Sequence, residues 1–237
     1  MRIRIGFLLA CVAAQTIAAQ AAAPVIRVKA KLTAFDGQVM TLAPLPSKDA
    51  SAKTENFTVS ILPGTRYVGS DKASLDGVKP GAYAGAAVTQ GKDGSLKASD
   101  IYLYAEALRG SGEGRFFEGE RLIINGAVSV VQPPAPGGAG SLTLHYRGAM
   151  LSGLGRGKTL CEGRASPPAY ASALACQGDA VIAVPATAPV SALTPGDKSL
   201  LVPGSLVTVA MTKTQDNKDV TPGVIVEKAI ANPPAPP

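Results

Sequence analysis

The sequence predicts an all-β protein made of two copies of one small barrel, and three observations carry that expectation. The order of events in residues 58–107 recurs in residues 180–229. Tight-turn pairs such as Asp36-Gly37, Pro80-Gly81, Asp93-Gly94, Pro203-Gly204 and Asp216-Asn217 separate short apolar segments. The chain of 237 residues carries 26 glycines and 19 prolines but only 5% aromatic residues, which suits many short strands rather than long helices.

Taken in chain order, the first element is a leader. "MRIRIGFLLACVAAQTIAAQA" opens with Arg2 and Arg4, continues as an apolar run from Ile5 to Ala14, and offers an Ala-x-Ala site that places cleavage between Ala21 and Ala22. The run is too short to span a bilayer, so the mature chain is expected without a transmembrane span, in the periplasm or secreted. "LLAC" ending at Cys11 is a competing lipoprotein signal, but only about five apolar residues precede it. Loss of Arg2 and Arg4 takes the formal charge from +6 to +4, a mild and scattered excess.

Residues 22–107 form the first expected barrel. Its opening hairpin, "VIRVKAKLTAFDGQVMTLAP", turns at Asp36-Gly37. Ile26, Val28, Ala30 and Leu32 alternate with Arg27, Lys29 and Lys31, which puts three cations on one face. That face is a candidate contact for an anionic ligand, or a solvated edge that discourages strand pairing. A strand then ends at Pro63, and "DKASLDGVKPG" leads into a β-branched strand over 84–90. Proline presets the first central position of a type II turn and glycine supplies the positive φ of the second. In the closing strand "DIYLYAE", Tyr102 and Tyr104 share a face. They are a candidate stacking platform, or inter-barrel packing against Phe116 and Phe117 of the linker at 108–120.

Residues 121–229 repeat the plan, with "GDKSLLVPG" before the strand over 207–213, and 230–237 is an extended tail. This copy carries an excess segment, about 149–178, inside its second hairpin. "SGLGRGKTLCEG" within it imitates a phosphate-binding loop but has Ser152 where that motif needs glycine, and Gly163 and Pro167-Pro168 interrupt the helix it requires. No nucleotide is implied. Cys161 and Cys176, the two cysteines left after cleavage, are expected to pair in an oxidising compartment, a bridge worth about 3 kcal/mol. His145, the single histidine, has no ligand-spaced partners, so neither metal nor cofactor is expected.

The succession of hairpin, alternating strand, "KPG" turn, β-branched strand and "DG" turn, with the joint "EALRGSGEG" between copies, resembles the DUF5666 family of exported bacterial modules. The resemblance spans nearly all of residues 25–229. It implies two tandem OB-like barrels, the second with a disulfide-closed hairpin insertion, and it brings no catalytic motif. The expectation is therefore a non-enzymatic envelope module that binds an envelope protein or an anionic ligand. An envelope redox factor or hydrolase using the insertion is the alternative from another class. An accessory role in metal handling, suggested by labels on some family members, is a third reading that the lone His145 opposes.

Overall fold

A computed structural model describes residues 25–46, 55–118, 121–134, 138–148 and 177–227. The cleavage position Ala21–Ala22 and both insertion cysteines, Cys161 and Cys176, lie outside the described residues. The protein is all-β. Its strands are β1 (Ile26–Phe35), β2 (Val39–Pro44), β3 (Phe57–Ala73), β4 (Tyr83–Gln90), β5 (Leu96–Tyr104), β6 (Gly114–Glu118), β7 (Arg121–Gln132), β8 (Ala139–Arg147), β9 (Gln177–Pro185), β10 (Val190–Gly196), β11 (Leu206–Lys213) and β12 (Asp219–Glu227). Two short 3-10 turns, Glu106–Leu108 and Lys198–Leu200, interrupt the connections.

The turns behave as the dipeptides require. Gly81 and Gly204 have φ of +88° and +97°, and the turns close through Ala82 N–H on Lys79 O and Ser205 N–H on Val202 O. Each delivers the chain into the strand expected after it, β4 or β11.

Three carboxylates brace neighbouring turns. Asp36 accepts from the N–H groups of Val39 and Gln38, and Asp197 from that of Ser199. Asp93 accepts from the Ser95 hydroxyl and N–H. These bonds hold all three pKa values below the ordinary aspartate range. A group depressed in the folded state stabilises above its unfolded pKa and loses that contribution as pH falls through the folded value. Melting temperature should therefore drop as pH is lowered from about 5 towards about 2. The triple Asp→Asn variant at 36, 93 and 197 should show a shallower drop in pH-dependent melts.

Strand partners are where structure and expectation part. β1 pairs with β2, β2 with β3, β3 with β12, β12 with β11 and β11 with β1, which closes a five-stranded barrel. Three of these strands come from the first repeat and two from the second. The mirror arrangement joins β4 and β5 to β7, β8 and β9 in a second ring of pairings, sealed by Leu96 and Lys97 beside Ile182 and Ala183. The expectation of one barrel per repeat is corrected: each repeat hands its last hairpin to the other. Of the eleven buried residues in the first core, Leu201, Val207, Val209, Met211, Val224 and Val226 come from the second repeat.

Two features explain the exchange. β3 does not stop at Pro63, which has no N–H to give and only breaks the ladder; pairing with β12 lapses after Ile61 and resumes at Arg66. The strand then runs on to pair antiparallel with β10, carrying the chain into the neighbouring ring. In that pairing Ser70 lies opposite Leu193 and Asp71 opposite Ala192. The repeat alignment equates Ser70 with Ala192 and Asp71 with Leu193, so the two pairs interchange. A pseudo-twofold axis passes between them, and β3 and β10 are its two equivalent arms.

Smaller differences are local. The 108–120 segment is not all linker, because β6 forms a hairpin with β7. The insertion ends earlier than its composition suggested, since Gln177 and Gly178 already belong to β9.

Candidate functional site

The cationic face has the geometry that alternation implies. Val28, Ala30 and Leu32 turn towards the first core, while Arg27, Lys29 and Lys31 stand exposed on the outer wall. Lys29 is engaged by Glu227 of β12, so part of the positive charge is answered within the barrel. Exposed pairs of this kind contribute little to stability.

Tyr102 and Tyr104 lie on β5, between β4 and β10. Tyr104 meets Tyr83 of β4 edge to face, with centroids 5.3 Å apart. Phe117 of the linker packs against the second core. Burial raises the Tyr102 pKa and Asp100 adds to the rise, with Arg121 and Arg27 opposing it. Arg27 and Tyr102, far apart in sequence, are thus within electrostatic reach of one another. Arg121 is also ion-paired with Asp100.

Around this tyrosine pair sits a polar clamp that sequence reading missed. Tyr83 is 4% exposed and lies beneath the Arg109 guanidinium, 5.8 Å from its ring centroid. Arg109 forks onto Glu106 and also donates to Gly81 O at 2.8 Å. Asn125, 4% exposed, donates to Gly112 O at 2.8 Å and accepts from Tyr104 Oη at 3.4 Å. Arg147 meets Glu113 at 3.0 Å. Burial, then Glu113, pushes the Tyr83 pKa upward. These groups are engaged with one another and hold the "RGSGEG" joint against β4 and β7. His145 is likewise engaged, its Nδ1 lying 2.9 Å from Asp179 Oδ1 across the β8–β9 register. Among the described residues no group of three or more His, Cys, Asp or Glu side chains is placed to hold a metal ion.

The grooves are a different matter. One, of about 410 Å³, runs between the β1–β2 turn and the bend of β3, walled by Gly37, Gln38, Ile61 to Thr65, Tyr67 and Lys198. Thr65 Oγ1 donates to Leu62 O and Thr221 O, fixing the bend. Tyr67 Oη is out of solvent and has no hydrogen-bond partner among the described residues, and burial raises its pKa. An unsatisfied buried hydroxyl costs about 1–3 kcal/mol, so its retention calls for a reason. Lys198 stands at the rim, its Nζ 3.4 Å from Gly37 O.

A second groove, shallower and of about 500 Å³, is lined by Lys97, Gly138, Ala139, Ala183, Pro185, Ala186 and Thr187. The repeat alignment equates Ile61, Pro63, Gly64 and Thr65 with Ala183, Pro185, Ala186 and Thr187. Each groove thus lies where a proline breaks the parallel seam of a ring, beside that repeat's first hairpin turn, with one lysine at its edge. The proline was legible as a strand end. The recess it opens was not, because Lys198 and Lys97 reach each groove from the other repeat.

Among the described residues no helix is long and apolar enough to cross a membrane. Comparison with family models, with curated proteins and with solved structures finds no match.

Proposed function

We propose that this chain is an exported, non-enzymatic module of the bacterial cell envelope, akin to the DUF5666 modules, whose OB-like barrels bind a partner or anionic ligand at the grooves on their parallel seams. The observation that carries the reading is the recurrence of a recess at the proline break of each repeat, each edged by a lysine, Lys198 or Lys97, that comes from a different position of the other repeat. Drift rarely preserves a recess twice, and Tyr67 of the first groove keeps a hydroxyl, unsatisfied and closed off from solvent, that a ligand oxygen would complete once the ring turns outward. The leader supports an envelope setting, and in it Cys161 and Cys176 serve as a structural bridge rather than a redox pair. A lysine beside an apolar wall favours a ligand with an anionic head and an apolar or extended body.

The test is a thermal-shift screen of residues 22–237 against envelope glycans, oligonucleotides, nucleotides and metal ions. A ligand at 100 times its Kd should add about 2.7 kcal/mol. Tyr67→Phe should leave the free protein as stable or raise it by about 1 kcal/mol, since it deletes an unsatisfied donor. The same change, and Lys198→Ala, should shrink the ligand-induced shift. A shift from zinc or a nucleotide that survives both substitutions would overturn the groove reading.

A further inference from the structure

We infer that the two repeats are separable partners, each holding the other by a donated hairpin, so that a chain cut between them remains one assembled protein. The inference rests on the pairing pattern and is independent of what the grooves bind. In the first barrel, hairpin β11–β12 fills the slot between β1 and β3: Val28 pairs with Val209, Ala30 with Val207, and Val224 with Tyr67. In the second ring, hairpin β4–β5 fills the slot between β7 and β9, where Ala86 pairs with Ile124 and Leu96 with Ile182. Neither repeat owns a whole core. Without the donated hairpin, each would expose two open strand edges and an unsealed apolar interior.

The axis between β3 and β10 makes the arrangement equivalent to a twofold dimer whose subunits have been joined in one chain. A twofold interface is self-complementary, and here the complementary part is a whole two-stranded hairpin. The joint holding the repeats in one chain is short and leads into β6, whose Glu118 pairs with Arg121 of β7. Its main effect on assembly is to make hairpin donation intramolecular, which raises effective concentration, while Phe117 of β6 adds packing on the second core alone.

The experiment inserts a protease site between Gly119 and Glu120, lets the full chain fold, and then cuts it. The two pieces should elute together at the volume of the uncut protein and separate only in denaturant. The melting temperature of the cut protein should fall on dilution while that of the uncut protein does not, because only the former has become bimolecular. Two folded pieces eluting separately would overturn the inference, as would a melting temperature that ignores concentration after cutting. Should the inserted site prevent folding, the uncut pair Lys29→Cys with Thr208→Cys provides the second measurement. These outward-facing residues are direct register partners from different repeats. Oxidation should yield a peptide linking positions 29 and 208 in the mass spectrum, and its absence would equally overturn the proposal.

Discussion

Ile124→Ala should lower the melting temperature of the whole molecule in a single step, at a cost of about 3 kcal/mol. Ile124 is fully buried, paired with Ala86 of β4 on one side and Arg115 of β6 on the other. Truncation removes the transfer energy of three carbons and leaves a cavity that the pinned neighbours, all within β-ladders, are poorly placed to fill. For a chain of this size the loss corresponds to roughly 6–12 °C. The shape of the transition is the sharper expectation. Two cores would ordinarily give two melting events, and a change in one would move one of them. Here β4 and β5 lead directly from β3, and β11 and β12 directly from β10, so neither ring can open without releasing a hairpin that the chain ties to the other. Differential scanning calorimetry should show one transition that shifts as a whole. Two transitions, only one displaced by Ile124→Ala, would contradict this coupling.

How much of this was readable beforehand follows from which interactions are local. Turns are local: Pro80-Gly81 and Pro203-Gly204 dictate their own backbone angles, and the strands that follow them begin within a residue or two of the expected place. Inward and outward faces are also local, since alternation alone puts Ala30 and Leu32 inside and Lys29 and Lys31 outside. Partner choice is not. The inward residues Val207, Val209 and Met211 of the donated β11 follow the same alternation as those of any closing strand, so pattern cannot say which of two similar slots a hairpin fills. That decision lies in the continuation of β3 beyond Pro63 to Ala73, about 33 Å of further strand at about 3.3 Å per residue. The grooves were hidden for a related reason. Tyr67 is paired with Gly196 and Val224, both from the second repeat, so its unsatisfied hydroxyl exists only after the exchange.

The Gly85→Ala change should cost about 2–3 kcal/mol, and most of that loss should vanish when Asn125 is shortened as well. Gly85 sits within β4 opposite Tyr102 on one side and Asn125 on the other. A methyl group there would lie 2.1 Å from Asn125 Oδ1 and 3.1 Å from a Tyr104 ring carbon. An amide oxygen on a free side chain would swing aside cheaply, but this one is held. Asn125 Nδ2 is committed to Gly112 O, and Oδ1 faces the Tyr104 hydroxyl, so yielding breaks the tie that fixes the joint between the repeats. Asn125→Ala alone should cost about 1 kcal/mol, because it removes the side-chain hydrogen bond to Gly112 O. Combined with Gly85→Ala, it removes the atom that clashes and leaves room the new methyl group partly fills. The double variant should therefore be more stable than the sum of the two losses predicts, by at least about 1 kcal/mol in a denaturant-melt cycle. Gly126→Ala, one residue along β7, sets the contrast. Its methyl group would meet the His145 carbonyl oxygen at 2.2 Å, a backbone atom no side-chain change can move. Its penalty should persist in the Asn125→Ala background. Additivity at Gly85 would mean that Asn125 is not the obstacle and that β4 and β7 have closer backbone limits than the clamp accounts for.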